Sequence, residues 1–233
     1  MIVSSVVAAL SAAVAVAVAS PATAQPTQAP WNLARVAAEC TRTATGGRPG
    51  VVEVASRLVD ANARATIAVP CVVHLVNGAS VSLANVTLST RTLNIHDRAT
   101  GVAPSVVDIA NSTITASGDD AGVLIELNDA ADRVAIARTT IVAPAGFSLR
   151  AADLRSEGNS GGAVTMANST VTANGPSSGG IQVFASERGG RVTVAETTLD
   201  TVGPVTVLAG TCTATRAGQV LNCSADQVAR GIN

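Results

Sequence analysis

Residues 81–88 read VSLANVTL, and the same eight-place frame returns as VDIANSTI at 107–114, VAIARTTI at 134–141, VTMANSTV at 164–171 and VTVAETTL at 192–199. Successive copies start 26, 27, 30 and 28 residues apart. Valine holds the first place, a large apolar residue the third, alanine the fourth, threonine the seventh and an aliphatic residue the eighth. Apolar residues two apart, with variable and mostly polar ones between them, carry the period of a strand with one buried face, whereas a helix would need 3.6. The fifth place is Asn85, Asn111, Arg138, Asn168 or Glu196. After glycine, asparagine best tolerates a left-handed backbone, which predicts a sharp bend there and a second short strand in a new direction.

Aligned on that frame, the intervening segments supply a third strand: LNIHD at 93–97, VLIEL at 123–127, FSLRA at 147–151, IQVFA at 181–185 and VTVLA at 205–209. A unit of this size cannot bury its apolar face alone, but it can by stacking on copies of itself. Three strands make a coil, and about five to six coils stacked about 4.8 Å apart make an all-β, parallel β-helix. The repeat resembles that of the right-handed parallel β-helix proteins of the pectin-lyase-like superfamily, over residues 50–210.

The ends of the chain read differently. Residues 6–19, VVAALSAAVAVAVA, form an apolar run followed by Ser20-Pro21 and the small residues Ala22-Thr23-Ala24. That is the pattern of a secretion signal over 1–24, cleaved after Ala24, and it leaves no membrane span. Residues 25–49 follow, in which Leu33, Val36, Ala37 and Cys40 have the spacing of a short amphipathic helix able to plug the open end of the solenoid. The segment 211–233 is read as the opposite cap. Both caps answer one need, because a bare solenoid end exposes unpaired strand edges. Four cysteines in an exported chain suggest two disulfides, and the shortest loop closures pair Cys40 with Cys71 and Cys212 with Cys223.

Composition narrows the function. The chain has 47% apolar residues, 1% aromatic and 13% charged, and the net charge is −1. That balance excludes a disordered chain and argues against nucleic acid as the partner. No phosphate-binding loop, nucleophile elbow or zinc-protease motif occurs, and no cysteine–histidine spacing supports a metal, so no cofactor is expected. Asn85, Asn111 and Asn168 each match the N-glycosylation pattern, share the fifth place of the repeat and read as by-products of an asparagine ladder between coils.

Alternation along the third strand turns Leu93, Ile95, Val123, Ile125, Phe147, Leu149, Ile181 and Val183 inward. The residues between them face solvent, with Asn94 and Gln182 in one outward column and His96, Glu126, Arg150 and Phe184 in the other. This is the candidate binding face, fitted to a polysaccharide or a cell-surface partner, unless the solenoid serves as a structural or adhesive element, and in the superfamily that the repeat resembles the equivalent face often lines a groove for an extended polysaccharide. A catalytic alternative rests on the same resemblance. Gly118-Asp119-Asp120 looks like the paired-aspartate motif of polygalacturonase-type glycoside hydrolases, and Asp97 precedes Asp119 by 22 residues, about one coil. The resemblance implies Asp120 as the acid, with Asp97 and Asp119 activating water. A lyase is the other enzymatic form of this alternative.

Overall fold

The computed structural model describes residues 29–98, 103–151, 161–186, 188–216 and 219–222. The expected signal sequence, and Cys223 with the rest of the C-terminal tail, lie outside these residues. Within them the chain is a parallel β-helix with one helix and two hydrogen-bonded sheets: an 8-stranded one (sheet I) and an 11-stranded one whose two arms, joined through the long strands of the first coils, form the other two faces (sheets II and III).

Sheet I holds the first strand of each unit: Arg57–Ala61, Ser80–Ala84, Val106–Ala110, Arg133–Ala137, Ala163–Ala167, Arg191–Ala195 and Thr211–Arg216. Their register is unbroken, so Leu58, Val81, Val107, Val134, Val164, Val192 and Cys212 form one inward column. All seven are buried. Sheet II carries the short strands after the bend, and sheet III the third strands. In the first two coils those strands run on as one, over Arg64–Leu75 and Thr87–Asp97. The five repeat units each make a coil, and a further coil at 57–75 precedes them. Its signal in the sequence is weak, because Asp60 stands where the other units have a large apolar residue.

Asp60 marks the end of the stack. Its Oδ2 accepts the backbone N–H of Leu33 at 3.0 Å, and Asn32 accepts that of Arg35 at 2.8 Å, so two of the otherwise unpaired donors at the start of the helix Leu33–Thr43 are satisfied. The helix lays Leu33, Val36 and Cys40 onto the open core, as its spacing predicts. Cys40 and Cys71 form a disulfide with Cα atoms 5.6 Å apart. The neighbouring position must be glycine, since a Cβ on Gly50 would come within 1.9 Å of the Cys40 carbonyl oxygen. At the other end Cys212 is buried and the strand Gln219–Asn222 pairs antiparallel with Thr211–Arg216, covering the last edge.

Every fifth-place residue lies in the left-handed region, with φ between 46° at Glu196 and 55° at Asn85, and Asn62 makes the same bend in the first coil at 56°. Arginine and glutamate obey as well as asparagine, so the stacked backbone imposes the bend. The expected asparagine ladder is only partial: Asn85 donates to Asn62 at 3.1 Å, but Asn111 accepts from Arg138 Nε at 2.6 Å. The continuous polar ladder sits one residue later. Ser112, Thr139, Ser169 and Thr197 each accept the backbone N–H of the coil before, at 3.0 to 3.4 Å. Their hydroxyls donate in turn to carbonyls two residues back, at 2.7 to 2.9 Å. Small hydroxyl side chains are used there because backbone donors at a buried bend need an acceptor that fits.

Candidate functional site

Pairing between sheet III strands turns alternation into columns. The inward residues Leu93, Ile95, Val123, Ile125, Phe147, Leu149, Ile181 and Val183 are all buried. On the outside, His96 pairs with Glu126, Glu126 with Arg150 and Arg150 with Phe184. Residues 30 and 24 positions apart in the chain thus become neighbours. Nδ1 of His96 lies 3.2 Å from Glu126 Oε2, Nη1 of Arg150 lies 3.6 Å from Glu126 Oε1, and the Arg150 guanidinium sits 5.3 Å from the Phe184 ring centre. Glu126 is therefore shared by two donors, and Arg150 by a carboxylate and a ring. Side-chain exposures of 22 to 31% across the trio leave each group reachable from solvent while its neighbours restrict its motion.

The column extends one coil further than the repeat units show. His74 pairs with His96, their rings 6.2 Å apart edge to face, and Glu53 pairs with His74. Burial above all, with Arg98 and His96 nearby, holds the His74 imidazole below its usual range and favours the neutral ring. Arg98 reaches back to Glu53 at 3.2 Å. The segment CVVHL at 71–75, laid over LNIHD at 93–97, carries the signal for His74, but it lies before the first well-formed repeat.

Beside this column runs a cleft of about 330 Å³, lined by Asn94, Asp120, Leu124, Glu126, Ser148 and Gln182 among others. Its floor at the start of the strands is a row of glycines, Gly122, Gly146 and Gly180. Gly146 and Gly180 have φ of 141° and 90°, and a Cβ on Gly180 would meet the Pro204 carbonyl oxygen at 2.0 Å. Gly180 therefore has no room for a side chain, and the positive φ of Gly146 disfavours one there. A second cleft of about 550 Å³ adjoins it at Thr92 and Asp120 and is lined by Arg48, Arg91, Asp119 and Asp120.

The three aspartates of the hydrolytic reading do not converge. Asp119 and Asp120 are exposed in the turn before the strand Gly122–Leu127. Asp97 is the last inward residue of its strand, 3% exposed, in register with Leu75. It lies near the far end of sheet III, roughly 20 Å from Asp120 by the length of intervening strand. Spacing by one coil was legible, but face and strand end were not: Asp97 shares its side of the strand with Leu93 and Ile95. It points toward a buried corner where Asp132 is wholly enclosed, and Asp132 accepts the N–H groups of Ser105 at 2.7 Å and Asp129 at 2.6 Å. Burial, above all, raises the Asp132 carboxyl to about 7, with Asp97 and Asp129 adding to the effect.

Among the described residues no group of three His, Cys, Asp or Glu side chains is arranged to hold a metal, and no helix is long and apolar enough to cross a membrane. Comparison with known proteins gives no match: no family model, no curated protein and no solved structure is similar to this chain.

Proposed function

We propose that the protein is a secreted β-helix whose outer sheet III face binds an extended polysaccharide. The observation that carries this reading is the ordered row His96–Glu126–Arg150–Phe184 flanking an open cleft with Asn94, Ser148 and Gln182 on its wall. Sugar hydroxyls both donate and accept, and amides, hydroxyls and a carboxylate fixed by its neighbours answer that need. The Phe184 ring adds an apolar surface beside them. Fixing these side chains before binding reduces the entropy lost on association. Export is supported by the apolar run at 6–19 and by the Cys40–Cys71 disulfide, which belongs to an oxidising compartment. N-terminal sequencing of the exported protein is expected to begin at Gln25.

The test is a glycan array followed by titration of the strongest ligand against the intact protein, Arg150→Ala and Phe184→Ala. Binding that weakens at least tenfold in both variants supports the reading; binding to no glycan, or binding indifferent to both substitutions, rejects it. Hydrolysis or elimination keeps one supporting observation, that Asp120 and Glu126 line the same cleft. New reducing ends or unsaturated products that vanish in Asp120→Asn would turn the binding face into an active site.

A further inference from the structure

The outward side of sheet I carries a feature that the polysaccharide face does not use. Its first column, mixed like that of sheet III, reads Arg57, Ser80, Val106, Arg133, Ala163, Arg191 and Thr211 in strict register. Arg133 and Arg191 therefore flank Ala163 from the coils on either side, two inter-strand steps or about 9.6 Å apart at the backbone. Both arginines are exposed, and among the described residues neither lies within ion-pair distance of a carboxylate. The neighbouring outward column runs Asp108, Ala135, Thr165 and Thr193: beside Ala163 and Arg191 it is small and uncharged, and its one acid, Asp108, lies diagonal to Arg133 on the preceding coil, beyond ion-pair distance. Between the arginines a notch of about 220 Å³ opens toward the turn residues Ala130, Ala131, Gly162 and Gly189. Asp132 also borders it, but its two carboxylate oxygens are engaged by the backbone N–H groups of Ser105 and Asp129.

We propose that this notch is a second binding site, in which Arg133 and Arg191 close over an oxyanion carried by an acidic polysaccharide. The physical case is one of unmet charge and available room. Arginines on a protein surface ordinarily find a carboxylate or lie flat over neighbouring side chains; here the residue between them is alanine, and among the described residues no carboxylate pairs with either cation. The planar guanidinium presents paired N–H donors matched to the oxygens of a carboxylate or sulfate. Two such forks converging from either side of one small residue fit a single anionic group better than a continuous row of charges. A nucleic-acid backbone would call for a longer basic track and stacking aromatics, and the chain has net charge −1 and 1% aromatic residues. The site lies on a different sheet from His96, Glu126, Arg150 and Phe184, so it stands or falls independently of the face proposed above.

The experiment uses the full chain on immobilised dextran sulfate and on immobilised polygalacturonate, with sodium chloride elution. The two supports separate a sulfate from a carboxylate ligand. The double variant Arg133→Ala/Arg191→Ala is expected to elute at clearly lower salt than the parent, with a loss of affinity of at least tenfold in titration against the soluble polymer. Ala163→Glu is the sharper variant. It keeps both arginines but sets a carboxylate between them, and should abolish retention equally while circular dichroism and melting temperature confirm the fold. Arg64→Ala removes a charge from sheet II and should leave retention unchanged. Three results overturn the site: no retention of the parent on either support, retention insensitive to Ala163→Glu in a folded variant, or an equal loss in Arg64→Ala.

Discussion

Sheets II and III are built by the same repeat and stack on the same core, yet their outer faces differ in kind. On sheet II, Thr87, Thr113, Thr140, Thr170 and Thr198 stand in one exposed column, the same residue on five coils. On sheet III the comparable column runs His74, His96, Glu126, Arg150, Phe184 and Leu208, with no residue used twice after the first pair. Threonine suits a strand, and like pairs across neighbouring strands stabilise the sheet, so uniformity is what stacking by itself favours. A column that departs from it on every coil answers to something other than stacking. The contrast between these two columns supports the proposed binding face on sheet III more strongly than any one of its residues does.

The largest effects should come from below, where the two sheets are alike. Ile125 under sheet III and Ile141 under sheet II are both fully buried. Either isoleucine replaced by alanine should cost about 2–5 kcal/mol by chemical denaturation, because the cavity cannot collapse between fixed coils. Comparable losses would confine the contrast to the outer faces, and a large inequality would place it in the core.

The buried corner past the end of sheet III comes next. Folding raises the Asp132 carboxyl from 3.8 to about 7, so between those values the folded protein holds a proton that the unfolded chain has released. Stability should therefore be greatest near pH 4 and fall as the pH rises to 7, by on the order of 2–4 kcal/mol from this group. Asp132→Asn should flatten that part of the stability–pH curve relative to the parent protein. A parent curve already flat would show that the corner is better solvated than its burial implies.

Substitution on the outer faces should separate binding from stability. Arg150→Ala removes a half-exposed charge whose ion pair is long, so stability should change by less than about 1 kcal/mol while glycan affinity drops at least tenfold. The smallest effect is expected on sheet II. Thr140→Ala should lose only about 0.2–1 kcal/mol in cross-strand pairing and leave glycan binding untouched. Loss of glycan binding in Thr140→Ala together with none in Arg150→Ala would reverse the comparison.

The eight-place frame was enough to read the three strands, the bend at the fifth place and the inward valine column, because period-2 alternation and stacking both act on residue type at fixed spacing. The capping helix and the Cys40–Cys71 pair were legible for similar local reasons. Other features were not. The coil at 57–75 falls inside the β-helix read over 50–210, but its strands do not match the eight-place frame because Asp60 serves the helix instead of the core, and His74 was missed for that reason. The polar ladder was expected on the asparagines and runs through Ser112, Thr139, Ser169 and Thr197, since a bend residue facing solvent cannot serve the buried donors beside it. Asp97 had the right spacing from Asp119 but sits on the inward face.

The amino-acid order alone determined that this chain coils, and which side chains alternate in and out, because those properties follow from periods of two within a strand and of one coil between strands. The outward column His96, Glu126, Arg150 and Phe184 follows from the same periods; only the tertiary structure decided how its side chains touch and what borders them. Register between coils brings Glu126 between His96 and Arg150 and leaves Ala163 between Arg133 and Arg191, whereas the strand end sends Asp97 into a buried corner away from Asp120. Distance across coils depends on how many residues each turn absorbs, and that number varies from one unit to the next.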